Sequence, residues 1–123
     1  SLILAQRLAR KTCPNCRVPD EDITPKALAD FGFTVEQASR AKVQKGEGCS
    51  QCKDSGYKGR MGIYEILSVS KPIKEAILRK ATTPELKEIA MKEGFRTMQD
   101  MGRELILTGD LNFREFDRVL SSE

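Results

Sequence analysis

The chain has 123 residues, enough for one domain or two small ones. Lys and Arg number 21 against 18 Asp and Glu, a formal net charge of +3; this falls to about +1 if four thiolates hold one Zn²⁺, and neither figure is the strongly basic balance of a protein that grips a nucleic-acid backbone. Histidine is absent, which excludes Ser-His-Asp and Cys-His catalysis and Cys₂His₂ or Cys₃His zinc sites, and removes the usual ligand of catalytic zinc.

Taken in order, residues 1–11 place Leu4, Leu8 and Ala5 at helical spacing, with Gln6, Arg7, Arg10 and Lys11 elsewhere, and the pattern predicts a helix that ends near Cys13. Its basic residues suit either the negative end of that helix or a contact with a neighbouring domain or subunit. Cys13-Pro-Asn-Cys16 reads as a tight turn, with Pro14 fixing φ and Asn15 tolerating a left-handed backbone. Arg17–Asp22 reads as polar loop. Thr24-Pro25 opens a short helix that Gly32 stops. Thr34-Val-Glu-Gln37 is a capping box for a second one, to about Ala41. The stretch between the cysteine pairs is therefore expected to be helical rather than a β-ribbon, with Leu28, Phe31, Phe33 and Val35 as core.

Lys45–Gly48 reads as a flexible lead into Cys49-Ser-Gln-Cys52. The glycines around this second pair supply the φ > 0 positions that a metal knuckle needs. Tyr57 is expected to pack beside the knuckle and Arg60 to pair with an acid. Gly62–Leu67 is β-rich and predicted to be a strand. Beyond Ser70 the pattern turns helical: Pro72–Lys80; a helix opened by Thr83-Pro84, ending near Glu93 with Gly94 as its stop; Thr97–Thr108, ending at Gly109; and a last helix after the Asn112-Phe-Arg-Glu115 capping box, marked by Phe113, Phe116 and Leu120. The Met and Phe stripe of these helices is at core spacing.

The four cysteines are all in the two Cys-x-x-Cys pairs. Two such pairs can supply four thiolates to one tetrahedral zinc. Residues 17–48, 32 in number, separate the pairs. That is more than the common double-knuckle spacing, but doubling a loop costs only about 0.6 kcal/mol of closure entropy. A structural Cys₄ zinc site at Cys13, Cys16, Cys49 and Cys52 follows, closed and without a catalytic position. The competing readings are a thiol oxidoreductase, in which one pair cycles a disulfide, and a nucleic-acid-binding zinc module using Tyr57, Lys58 and Arg60. No phosphate loop is present: the Gly56–Gly62 run does not match one. No apolar run approaches the ~20 residues of a membrane span, and no signal peptide is visible. A cytosolic setting is expected, and there paired cysteines more often bind metal than form disulfides. A start at Ser1, in mid-pattern and without Met, reads as a fragment of a longer chain.

The run Ala5-Gln-Arg-Leu-Ala-Arg-Lys-Thr-Cys-Pro-Asn-Cys16, and the run Gly48-Cys-Ser-Gln-Cys-Lys-Asp-Ser-Gly-Tyr-Lys-Gly-Arg-Met-Gly-Ile-Tyr-Glu-Ile-Leu67, closely resemble the C-terminal part of the type II secretion and type IV pilus assembly ATPases. The resemblance covers nearly the whole chain and is loosest over residues 98–113. It implies a hexameric cytoplasmic motor at the bacterial inner membrane, with ATP and Mg²⁺ bound upstream of Ser1. It implies neighbouring subunits and an inner-membrane platform protein as partners, and no nucleic acid. It also carries the four cysteines over as metal ligands. The expected fold is α+β. Residues 1–12 form a helical tail of a RecA-like core, residues 13–67 a tetracysteine zinc subdomain with a helical insert and short strands, and residues 68–123 a helical subdomain. The fragment itself is expected to be non-catalytic.

Overall fold

Leu2–Thr12 forms a strand, β1, and not the predicted helix. In the computed structural model, which describes residues 2–120, β1 pairs antiparallel with Tyr57–Leu67, β4, with Leu2 opposite Leu67, Gln6 opposite Tyr64 and Arg10 opposite Arg60. The register shifts between Ile3 and Ala5. This bulge interrupts the alternation at Leu4, and the four-residue spacing of Leu4 and Leu8 fits one face of a strand as well as of a helix. Of the residues expected inward, Leu4 and Ala5 pack partly buried against the cores, but Leu8 is 54% exposed and Ala9, 1% exposed, lies in the core instead. The predicted strand at Gly62–Leu67 is real but begins five residues earlier, at Tyr57. Ser1 and residues 121–123, which belonged to the first helical segment and the last subdomain, lie outside the described residues.

Between the cysteine pairs lie both helices and a ribbon. Arg17–Pro19 (β2) and Gln44–Gly46 (β3) pair antiparallel, with Arg17 opposite Gly46. They correct the expected loop and flexible lead, and three-residue strands are too short to show a period. Between them stand α1 (Pro25–Asp30) and α2 (Val35–Arg40). Thr24 and Thr34 cap these helices through Ala27 N–H and Gln37 N–H, as predicted. Val35, expected in the core, is 84% exposed.

The second half is four helices: α3 (Lys71–Leu78), α4 (Thr83–Lys92), α5 (Met98–Thr108) and α6 (Phe113–Leu120). The N-cap of α4 is Thr82, one residue before the predicted Thr83, because the Thr82 hydroxyl accepts from Glu85 N–H in a full capping box. Glu65 of β4 is buried: its carboxylate accepts from Met98 N–H at 3.2 Å, the first turn of α5, and pairs with Lys87 at 2.9 Å. A carboxylate at a helix N-terminus is well placed against the unpaired amides there.

One apolar cluster joins the two halves. Ala9 and Ile63 of the sheet, Leu28, Phe33, Ala38 and Val43 of the insert, and Met98, Ile106, Leu111, Phe116 and Leu120 of the tail pack together. Phe31 meets Phe113 at 4.7 Å and Phe116 at 5.9 Å between ring centroids, both edge-on. A smaller cluster of Leu67, Ile73 and Ala90 holds α3 and α4 to the far end of the sheet.

The Asn112–Glu115 pattern caps α6 in one direction only. Asn112 Oδ1 accepts from Glu115 N–H at 2.7 Å. The Glu115 side chain does not return the bond; it is fully buried and turns to β1. It accepts from Arg10 N–H at 2.7 Å, from Arg10 Nη2 at 3.0 Å, and from Arg118 Nε and Nη2 at 2.8 and 2.7 Å. Arg10 also lies 4.0 Å over the Tyr57 ring, whose hydroxyl accepts from Asn112 Nδ2 at 3.0 Å. Arg60 is exposed and has no ion pair among the described residues.

Burial opposes ionisation of Glu115, but the Arg118 and Arg10 hydrogen bonds outweigh it and bring the carboxyl from 4.5 to about 2. A depressed carboxyl stabilises the fold fully above pH 4.5, and that contribution is lost as the pH falls toward 2. We therefore expect Glu115→Gln to cost about 3 kcal/mol at neutral pH, the range for breaking a buried ion pair. Urea unfolding followed by circular dichroism should show this loss, and the variant should lose less stability than wild type when the pH drops from 5 toward 2.

Candidate metal centre

The two cysteine pairs sit where the strand pairs end. Thr12 lies opposite Tyr57 at the end of the β1–β4 pair, so Cys13 N–H donates to Gly56 C=O at 2.9 Å. On the other side the β2–β3 ribbon brings Glu47 N–H to Cys16 C=O at 3.1 Å. The 32-residue excursion from residue 17 to 48 is thus closed at its base by backbone bonds.

The knuckles themselves depend on tight backbone. Gly48 and Gly56 have φ of +106° and +81°, and Lys53 and Asp54 follow the 3₁₀ turn Ser50–Cys52 at +54° and +62°. Gly46 and Gly56 cross so closely that a Cβ on Gly46 would lie 2.2 Å from the Gly56 oxygen. Only two residues without side chains can pass there.

All four sulfurs lie within 4.8 Å of one another. Cys13–Cys49 and Cys16–Cys52 are each 3.8 Å apart, and Cys49–Cys52 is 3.7 Å. A disulfide needs about 2.05 Å. A regular tetrahedron with metal–sulfur bonds of about 2.3 Å has edges of about 3.8 Å. The sulfurs therefore have the mutual spacing of a tetrathiolate site. Four thiolates suit Zn²⁺, with iron as the other metal that favours this donor set. Cys13 and Cys52 are buried, and Cys16 and Cys49 are partly so.

N–H groups converge on these sulfurs. Gly48 N–H donates to Cys16 at 3.2 Å, and Cys49 N–H and Gly56 N–H donate to Cys52 at 3.3 and 3.2 Å. Asn15 Nδ2 donates to Cys49 at 3.3 Å. Burial opposes ionisation of Cys52, yet the Gly56 and Cys49 amides and its neighbouring thiols bring it down to about 6. The Asn15 amide lowers Cys49. Burial pushes Cys16 up to about 12, against the Gly48 amide. A bound cation reverses that last effect, because metal binding requires deprotonated thiols and releases their protons.

The competing uses of these residues fare less well. The shortest sulfur separations are split between and within the pairs, which is not the arrangement of an isolated redox dithiol. The Tyr57 ring, which a nucleic-acid module would offer for stacking, already carries Arg10. Residues 57–62 of the glycine-rich run lie in β4, and a strand cannot present the amide cradle of a helix N-terminus to phosphate. The sequence pattern named all four cysteines. It did not show the Asn15 bond or the ribbon, which depend on tertiary contacts.

An α+β chain with a tetracysteine cluster is the class this fold and site define. Residues 1–118 match the family described as type II/IV secretion system protein, and the chain belongs to that family. It is 35% identical over 115 residues to the type IV pilus assembly ATPase PilB of Myxococcus xanthus, covering 94% of this chain and 20% of that protein. It is 36% identical over 116 residues to PilB of Thermus thermophilus, covering 92% of this chain and 13% of that protein. The type II secretion system protein E of Aeromonas hydrophila is 33% identical over 117 residues, covering 95% of this chain and 23% of that protein. The chain thus spans between 13% and 23% of the length of these three relatives. No helix among the described residues is long and apolar enough to cross a membrane.

Gly46→Ala should cost about 3 kcal/mol, the upper end for overpacking, because its Cβ meets backbone. Gly94→Ala, at a φ of +86° that Gly46 does not share but with nothing within 4 Å of its Cβ, should cost only about 1 kcal/mol for the left-handed backbone. Thermal unfolding of both variants and a Co²⁺ titration check this; only Gly46→Ala should weaken metal binding.

Proposed function

We propose that this chain is the metal-clipped, non-catalytic region of a longer motor ATPase that drives type IV pilus assembly or type II protein secretion. Cys13, Cys16, Cys49 and Cys52 hold one structural Zn²⁺. The observation that carries this is the tetrahedral spacing of four sulfurs in a member of the secretion family. Zinc clamps the end of β1 to the start of β4, and so fixes where α5 and α6 pack on the sheet.

In this reading residues 1–12 belong with a RecA-like core, residues 13–67 with the zinc subdomain and residues 68–123 with the helical tail. ATP and Mg²⁺ bind elsewhere in the parent protein, a homohexamer at the cytoplasmic face of the inner membrane. The chain serves contacts with neighbouring subunits and an inner-membrane platform protein, and it binds no nucleic acid. The relatives' names, as pilus assembly ATPase and type II secretion protein, support the motor assignment.

The purified chain should contain one zinc per molecule by elemental analysis and should not hydrolyse ATP. Structural zinc contributes folding free energy directly, so chelation or Cys49→Ser should lower the thermal midpoint by roughly 10 °C or more. A metal-free chain of unchanged stability sinks the proposal, and iron in place of zinc reassigns the metal.

A further inference from the structure

Among the described residues, four N–H groups point at the sulfurs of the tetrad. Three belong to the backbone of residues 48, 49 and 56 and are fixed by the knuckle's own fold. The fourth is a side chain: Asn15, in the first knuckle, reaches across to Cys49 of the second at 3.3 Å. Its target, Cys49, is only partly buried.

A turn residue such as Asn is often chosen because it tolerates a left-handed backbone, and that was the expectation for Asn15. The structure removes this reason. Among the described residues the non-glycine positions with positive φ are Lys53, Asp54 and Lys80, and Asn15 is not one of them. The backbone at position 15 therefore does not require Asn. What distinguishes it there is the amide group and the bond that this group makes.

We propose that Asn15 is a positioning residue of the metal centre, holding the Cys49 thiolate against the metal and slowing the metal's departure. This rests on the reading of the tetrad as a metal centre. A hydrogen bond to a thiolate spreads its charge and restricts its rotation. It also occupies a direction from which water or an acid could otherwise approach. Cys16 and Cys52 have backbone donors that no substitution at position 15 removes. Cys49 depends on a side chain from the other knuckle, so it is the ligand whose release one mutation can change.

The test uses the zinc-loaded chain, with zinc transfer to an excess of a chromophoric chelator followed against time. Partners around a ligand shell typically contribute 10–100-fold to metal affinity. For Asn15→Ala we expect release about tenfold faster, the low end of that range, with the zinc-loaded chain still folded by circular dichroism. Asn15→Asp keeps the shape and the turn preference but loses the donor, so it should release zinc at least as fast. Iodoacetamide mapping during release should find the first adduct at Cys49 in both variants, and Co²⁺-loaded variants should show a shifted thiolate charge-transfer band. Release at the wild-type rate in both variants overturns the proposal, as does Asn15→Asp behaving like wild type or first alkylation at Cys16. A wild-type chain that takes up no metal overturns the metal centre itself and this proposal with it.

Discussion

The antiparallel pairing of β1 with β4 is the constraint on which the rest depends. It lays residues 2–12 beside residues 57–67, so the first cysteine pair leaves one strand just where the second pair enters the other. A backbone hydrogen bond joins Cys13 N–H to Gly56 C=O at this end of the pair. The β2–β3 ribbon repeats the device from the other side. The sulfurs converge because two strand pairs converge. A metal at that point binds ligands already close to their final spacing, so little of its binding free energy goes into ordering chain.

Much of this was legible from residues alone, for identifiable reasons. The cysteine pairs, the Thr24 and Thr34 caps and the Gly94 and Gly109 stops are local signals, read within four residues. The four helices after Ser70 show their period because each buries a single stripe. The first strand reads as a helix because its bulge falls at Leu4 and the residues it turns to the core are the small Ala5 and Ala9, while the larger Leu8 faces outward. Size and hydrophobicity pointed to the wrong face. Arg10 and Glu115 are separated by 105 positions, and the pattern that contains Glu115 imitates a capping box. Such a pairing has no local signature.

Glu115 and Glu65 play parallel parts in the two halves of the sheet. Each is a buried carboxylate whose charge is met by one or two basic side chains and a backbone amide. Glu115 joins α6 to β1, and Glu65 joins β4 to the first turn of α5 and to α4. A buried carboxylate tolerates little displacement, since a misplaced partner leaves a charge out of water. These two residues thus set the position of the tail on the sheet more sharply than apolar packing alone, which permits sliding.

The apolar cluster shared by sheet, insert and tail has a wider meaning. Segments that look separable along the chain are not separable in free energy. Phe31 of the insert rests on Phe113 and Phe116 of the last helix, and Ile63 of β4 lies in the same cluster as Met98, Ile106 and Leu120. The cysteine-bearing segment does not behave as a portable finger that could be cut out at Leu67 and moved to another protein. Loss of order at the sulfurs loosens the surface on which the terminal helices lie, and loss of the last helix uncovers the insert. The sheet, the insert, α5 and α6 are therefore expected to unfold as one unit, because they share one cluster and the Glu115 and Glu65 links.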